Sequence, residues 1–232
     1  MRLGLPGQYP YGTATAIDAA GDVSGTYGPS NQNCFLWMSS TGASPDLGFL
    51  GEGDKCETGG MDSRGRIFGR STEAPDSYEW HAFVWRDQHM HKLHMPPHGT
   101  SAMALSGNKA GDVVGWANVF YRDYGDAVES AIVWHDGVPH NLAPTSGWRT
   151  KANAVDDAGT IVGWGFEPGG DDPNYEAMRF DGKGFTYLGR EVVNPDGWDG
   201  LYDATGISPS GVIVGFGRRS DGKVHGFMLK PL

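Results

Sequence analysis

Basic residues are scarce: 18 Lys and Arg stand against 28 Asp and Glu in 232 residues, a formal charge of −10. Binding to a phosphate backbone works by counterion release at Lys/Arg clusters, so this balance argues against nucleic acid as a partner. Cysteine is scarcer still. Cys34 and Cys56 are too few for the disulfide framework of a small secreted scaffold, and they identify no compartment. No apolar run approaches the ~18 residues of a membrane helix, so no membrane partner is expected. No charged-then-apolar leader opens the chain. A nucleophile elbow, a phosphate-binding loop and a zinc-protease motif are all missing, which removes the commonest routes to a catalytic assignment. A helical period of 3.6 is nowhere competitive.

Glycine is what the chain has in plenty. Its 37 copies are about twice the average frequency of ~7%, and they fall at intervals. A polar residue, two more residues, Gly, a β-rich triplet and a second Gly recur five times: "DAAGDVSG" from Asp18, "DSRGRIFG" from Asp62, "NKAGDVVG" from Asn108, "DDAGTIVG" from Asp156 and "SPSGVIVG" from Ser208. The first glycines, Gly21, Gly65, Gly111, Gly159 and Gly211, are 44, 46, 48 and 52 residues apart. Each copy opens as a type I turn should, with Asp, Asn or Ser first and Gly last.

A second strand signal follows each turn: "NCFLW", "HAFVW", "SAIVW", "EAMRF" and "HGFML", alternating with the period of two expected of strands. After it come a short hairpin and a third apolar stretch, as in "DLGFL" (46–50), "HKLHM" (91–95) and "TYLGR" (186–190). With the strand before each turn, this predicts four strands per unit. Five such units of about 47 residues predict one all-β domain over 1–232, a five-bladed β-propeller of four-stranded blades. The last copy stops after "HGFMLK", and "RLGL" at 2–5 matches the "DLGFL" stretch. The N-terminal strand is therefore expected to complete the fifth blade and close the ring.

At "HAFVW" (His81–Trp85), "MHKL" (Met90–Leu93) and the Gly-x-Val-Val-Gly turns, the chain resembles the HAF-repeat family of extracellular repeat proteins. Only the second unit carries the literal triplet, and the fifth has "HGF". The resemblance implies a propeller-like repeat and secretion, but no activity. With no leader visible, the location is left open between extracellular and intracellular.

The repeat separates scaffold from site. Trp37, Trp85, Trp134, Phe180 and Leu229 share one position and read as core. His81 and His225 share another and read as structural. Cys34 aligns with Ala82, Ala131, Ala177 and Gly226, so a small core residue explains it, and a bridge to Cys56 is left open. The connections on one face of the propeller, 8 to 16 residues long, hold 18 of the 28 acidic residues but only 9 of the 18 basic ones. Eight of nine tyrosines and five of eight tryptophans fall there too. Trp116, Trp164 and Phe216 follow the second glycine of their units, where a packed cap and a ligand platform are both open readings. The candidate binding set is Trp116, Tyr121, Trp148, Arg149, Trp164, Tyr175, Trp198 and Tyr202. Rings amid carboxylates suit sugars, which offer apolar faces for stacking and hydroxyl protons for the carboxylates.

Five residues before each turn stand Thr13, Glu57, Met103, Lys151 and Asp203, one per blade at the channel mouth. An ion-pair ring that fixes the blades would explain them. So would general acid–base catalysis by Glu57, Lys151 and Asp203. Metal readings are weaker: "HMHKLHMPPH" sends only His94 and His98 to the loop face, and "DGWDGLYD" (196–203) lacks the spacing of a calcium loop. No cofactor is expected, with calcium left open. The functional expectation is a monomeric module that binds a carbohydrate or polyhydroxylated small molecule, with a hydrolase, lyase or cyclase as the alternative and a protein-recognising scaffold as a third.

Overall fold

The computed structural model describes residues 3–29, 32–122, 125–143, 149–166, 175–182, 184–192 and 197–231. They form five antiparallel sheets, each built from neighbouring stretches of chain. The first holds β1 (Gly12–Ile17), β2 (Val23–Tyr27) and β3 (Asn33–Trp37). The second holds β4 (Cys56–Met61), β5 (Ile67–Ser71), β6 (His81–Arg86) and β7 (His89–Lys92). The third is β8 (Gly99–Gly107), β9 (Val113–Tyr121), β10 (Asp126–His135) and β11 (Val138–Asn141). The fourth is β12 (Arg149–Val155), β13 (Ile161–Phe166), β14 (Glu176–Phe180) and β15 (Phe185–Tyr187), followed by one helical turn, α1 (Leu188–Glu191). The fifth has β16 (Trp198–Ile207), β17 (Ile213–Arg219) and β18 (Val224–Leu229). The chain divides into two compact units, Met1–Ser106 and Gly107–Leu232.

The turns have the chemistry the repeat predicts. Gly21, Gly65, Gly111, Gly159 and Gly211 each donate N–H to the carbonyl three residues back, at 3.2, 3.0, 3.2, 3.1 and 2.9 Å. All five have φ between 74° and 105°, the left-handed region that a side chain disfavours. Asp18 Oδ1 accepts from the N–H groups of Ala20 and Asp22, and Asp62 and Asp156 accept from the equivalent pair in their own turns; Asn108 Oδ1 accepts from Gly111 and Asp112, and Ser208 Oγ from Val212.

Four strands appear in three of the five sheets. In the first, "DLGFL" makes only an isolated bridge, Phe35 to Asp46, although Leu47 N–H still reaches the Cys34 carbonyl at 3.0 Å. Asp46 turns the chain instead: its Oδ1 accepts from Gly48 N–H at 2.6 Å, and Gly48 has φ +74°. In the fourth, "TYLGR" leaves its strand at Tyr187 and coils into α1, which buries Leu188 beside Val162 and Ala177 and brings Glu191 to Arg179 at 2.9 Å. The fifth sheet shows no fourth strand among the described residues. Leu3, Gly4 and Leu5 belong to no strand, and the two leucines pack on Val23, Tyr27, Phe35 and Trp37.

A question the sequence leaves open is answered in the first unit. Cys34 and Cys56 form a disulfide across 22 residues, with Cα atoms 5.6 Å apart and both side chains fully buried. Cys56 N–H donates to Gln32 O at 2.8 Å, so the start of β4 is held against β3 where the thiols meet. The alignment with alanines established only that the site is small, and half a cystine satisfies that as well. Around the bridge lie Leu36, Leu47, Leu50, Ile67 and Phe83. The second unit has its own cores: Val114, Ala131, Val133 and Ile161 between the third and fourth sheets, and Val162, Ala177, Leu201, Ile213 and Phe227 between the fourth and fifth. Trp134 is fully buried, as its repeat position predicts.

Candidate functional site

The residues at the predicted mouth fall into cross-strand rows. Glu57 pairs with Arg70 and then Ala82; Lys151 pairs with Trp164 and then Ala177; Asp203 pairs with Phe216 and then Gly226. Thr13, Thr26 and Cys34 form the same row in the first sheet. Except in the first sheet, where Thr26 takes the place, a long side chain on the middle strand is thus flanked by the mouth residue and a small one. This explains why an aromatic group or an arginine follows the repeat's second glycine.

In the first unit, Glu57 is held in an ion pair: Arg70 approaches its Oε2 through Nη2 at 2.6 Å and Nε at 2.8 Å. The same guanidinium lies 4.4 Å from the centre of the Trp80 ring. Glu57 is therefore held by an immediate neighbour with an aromatic backing. His81, nearby, has Nε2 3.6 Å from Glu73, and burial lowers its pKa.

In the second unit, Lys151 and Asp203 come together. Burial raises the Asp203 carboxyl above the ordinary range, while Lys151 and a 2.6 Å hydrogen bond donated by Asn153 Nδ2 pull it back down. Asn153 also donates to Ala204 O at 3.0 Å. Glu129 joins them from β10. Its carboxyl is likewise raised by burial and opposed by Lys151 and Arg149. Two half-buried carboxylates with raised pKa thus face one lysine.

Trp164, across from Lys151, carries Tyr175 edge-on at 4.4 Å, and Phe166 lies 6.1 Å from the same tyrosine. Tyr175 also borders a cleft of about 540 Å³ between β14 and α1 on one side and the fifth sheet on the other. Trp198 and Tyr202 line this cleft with Glu176, Arg190, Asp199 and Arg218. Trp198 is braced edge-on by Phe227 at 6.2 Å, and Arg218 Nε lies 3.5 Å from Asp199, at ion-pair distance without a hydrogen bond. Among the described residues no strand pairs with the outer edge of β18, where the second, third and fourth sheets have a further strand.

Of the sequence-predicted binding residues, Tyr175, Trp198 and Tyr202 share this cleft, with Trp164 stacked behind. Arg149 acts electrostatically on Glu129 instead. Trp116 is half-buried opposite Ala131 in the third sheet. Tyr121 is tied down: its hydroxyl accepts from Asn141 at 2.7 Å and lies 3.0 Å from Ser130 Oγ. Trp148 lies outside the described residues, as does Asp196 of the acidic loop. Among the described residues, no group of three or more His, Cys, Asp and Glu side chains is placed to hold a metal ion. Sequence reasoning missed Glu129, Arg70, Arg190 and Arg218. For Glu129 a signal existed: the position before "NCFLW" and its equivalents holds Gln32, Trp80, Glu129, Tyr175 and Val224, and such variation at a repeat position marks a residue the scaffold does not dictate.

No family model matches the chain, and no curated protein matches it. Among solved structures it is similar to TolB from Acinetobacter baumannii, with a TM-score of 0.59 and 12% identity over 96% of this chain and 52% of that one. The chain thus spans about half of TolB's length. It is also similar to the β-propeller domain of the Trilobed protease from Pyrococcus furiosus, which has an open velcro topology (TM-score 0.50, 10% identity, 94% and 78% covered). A gluconolactonase from Xanthomonas campestris matches at TM-score 0.48 and 12% identity, with 95% and 76% covered. At these identities a likeness speaks to architecture alone, and with five antiparallel sheets it makes this chain an all-β protein with a β-propeller fold.

Proposed function

We propose that this protein is a binding module for a carbohydrate or another polyhydroxylated small molecule, with its site on the loop face of a five-bladed propeller. The observation that carries the proposal is the cleft in the second unit, where Tyr175, Trp198 and Tyr202 surround about 540 Å³ together with two carboxylates and two guanidiniums. That volume is typical of small-molecule sites. Rings supply stacking surface for the apolar face of a sugar, and Glu176 and Asp199 accept its hydroxyl protons. Membership of the HAF-repeat family is part of the same proposal, with secretion as its consequence. The buried Cys34–Cys56 bridge supports an oxidising compartment.

Calorimetric titration of wild type and Trp198→Ala against a panel of sugars tests this. One site per chain is expected, with the ligand recovered intact by mass analysis and affinity reduced about tenfold or more in the variant, the equivalent of ~1.4 kcal/mol. Binding that ignores Trp198, or none at all, would remove the proposal. A second reading, an enzyme working at Lys151, Asp203 and Glu129, is favoured by the two raised carboxyls facing one lysine. It predicts a ligand returned altered by wild type and unaltered by the Glu129→Gln/Asp203→Asn double variant.

A further inference from the structure

Resting on the sugar-binding proposal, we infer that the ligand of this cleft is an acidic sugar bearing one carboxylate, and that Arg190 receives that carboxylate. The loop face as a whole is negative, so an anion is held only where cations locally exceed what their neighbours neutralise. The cleft lining is balanced, two guanidiniums against two carboxylates, but one of the guanidiniums is not neutralised by a neighbour. Arg218 is compensated by Asp199, 3.5 Å away. Glu191, next to Arg190 in sequence, is taken by Arg179 at 2.9 Å. Among the described residues, Arg190 has no carboxylate within ion-pair distance, yet it lines the cleft. Its guanidinium lies over the Tyr187 ring at 4.3 Å, which fixes the plane of the group and leaves its N–H edge for a partner.

A planar fork of N–H donors matches a carboxylate through two parallel hydrogen bonds. A phosphate monoester, close to a dianion at pH 7, matches the cleft less well. Glu176 and Asp199 stand on the same walls, and each repels an added negative charge by about 1 kcal/mol at ~4 Å in water, so a dianion suffers twice. A cationic amino sugar would meet both guanidiniums. With the carboxylate on Arg190, the ring of the sugar extends towards Trp198 and Tyr202, and Glu176 is left to accept hydroxyl protons.

The test is calorimetry with D-glucuronate, D-glucose and D-glucose 6-phosphate on wild type, Arg190→Gln and Arg190→Lys, with thermal unfolding of each variant to verify its fold. Wild type is expected to bind glucuronate about tenfold more tightly than glucose. In Arg190→Gln the ratio should fall to near one, and Arg190→Lys should keep part of it, because a point charge remains without the fork. Equal affinities for glucuronate and glucose, a ratio unchanged in Arg190→Gln, or a preference for the phosphate ester would each overturn the inference while leaving the sugar proposal standing. Binding of none of the three would overturn both.

Discussion

A single methyl group tests the repeat's second glycine. A Cβ at Gly25, Gly69, Gly163 or Gly215 would fall inside 3.0 Å of a carbonyl oxygen, that of Thr13, Glu57, Lys151 or Asp203 respectively. The cause is a bulge on the inner strand next to each mouth residue, which presses that carbonyl onto the neighbouring strand. Scaffold and site are therefore linked, because the glycine that defines the motif also seats the mouth residue. Gly163→Ala is expected to cost about 1–3 kcal/mol, read from the urea midpoint. Gly4→Ala, with open space around it, should stay within about 0.5 kcal/mol. Asp203 gives a pH prediction. Its folded pKa is raised above the unfolded value near ~3.9, so the native state holds that proton more tightly and loses stability as pH rises through this window. Asp203→Asn should accordingly be the more stable protein at pH 7, with the difference vanishing at acid pH where wild type is also neutral. Thermal unfolding at several pH values measures it, and a wild type more stable than the variant at pH 7 would show that Lys151 outweighs burial.

Among the elements, the pairing of β3 with β4 and the edge of β18 carry the consequences. The Cys34–Cys56 bridge closes a loop of 22 residues, for which chain entropy predicts about 3 kcal/mol of stabilisation. Reduction, or a Cys34→Ala/Cys56→Ala double substitution, should lower the denaturant midpoint by that equivalent. β18 leaves Val224 and Met228 each 62% exposed, and among the described residues no strand pairs with its outer edge, the arrangement that invites pairing between molecules. Met228→Lys is expected to reduce concentration-dependent self-association in sedimentation experiments without moving the melting temperature. The elements also mark where the sequence was legible. Period-two alternation and turn chemistry are local, so strands and turns could be read directly. "TYLGR" could not, because its switch into α1 depends on burying Leu188 against Val162 and Ala177, residues tens of positions earlier or across a hairpin.

At the scale of the molecule, each compact unit has its own buried clusters, and only the first contains the disulfide. Reduction should therefore raise hydrogen exchange within β1–β7 far more than within β12–β18, and equal acceleration in both would contradict independent cores. The candidate site follows the same logic. A repeat makes its units alike, and a specific site forms where one unit departs from the pattern. Here the cleft opens between the four-stranded fourth sheet and the fifth, which among the described residues has three strands.

The sequence by itself determined the repeat, its turns, the all-β class and the row of mouth residues. Each of these rests on glycine spacing, alternation or turn-forming side chains within a few positions of one another. Only the tertiary structure decided that Cys34 meets Cys56, that Arg70 takes Glu57, that Glu129 joins Lys151 and Asp203, and that Tyr175, Trp198 and Tyr202 share a cleft while Tyr121 is spent on Ser130 and Asn141. The disulfide, the Glu129–Lys151–Asp203 cluster and the cleft join strands of different sheets, and their distances follow from how the sheets pack. Spacing along the chain carries no record of that packing.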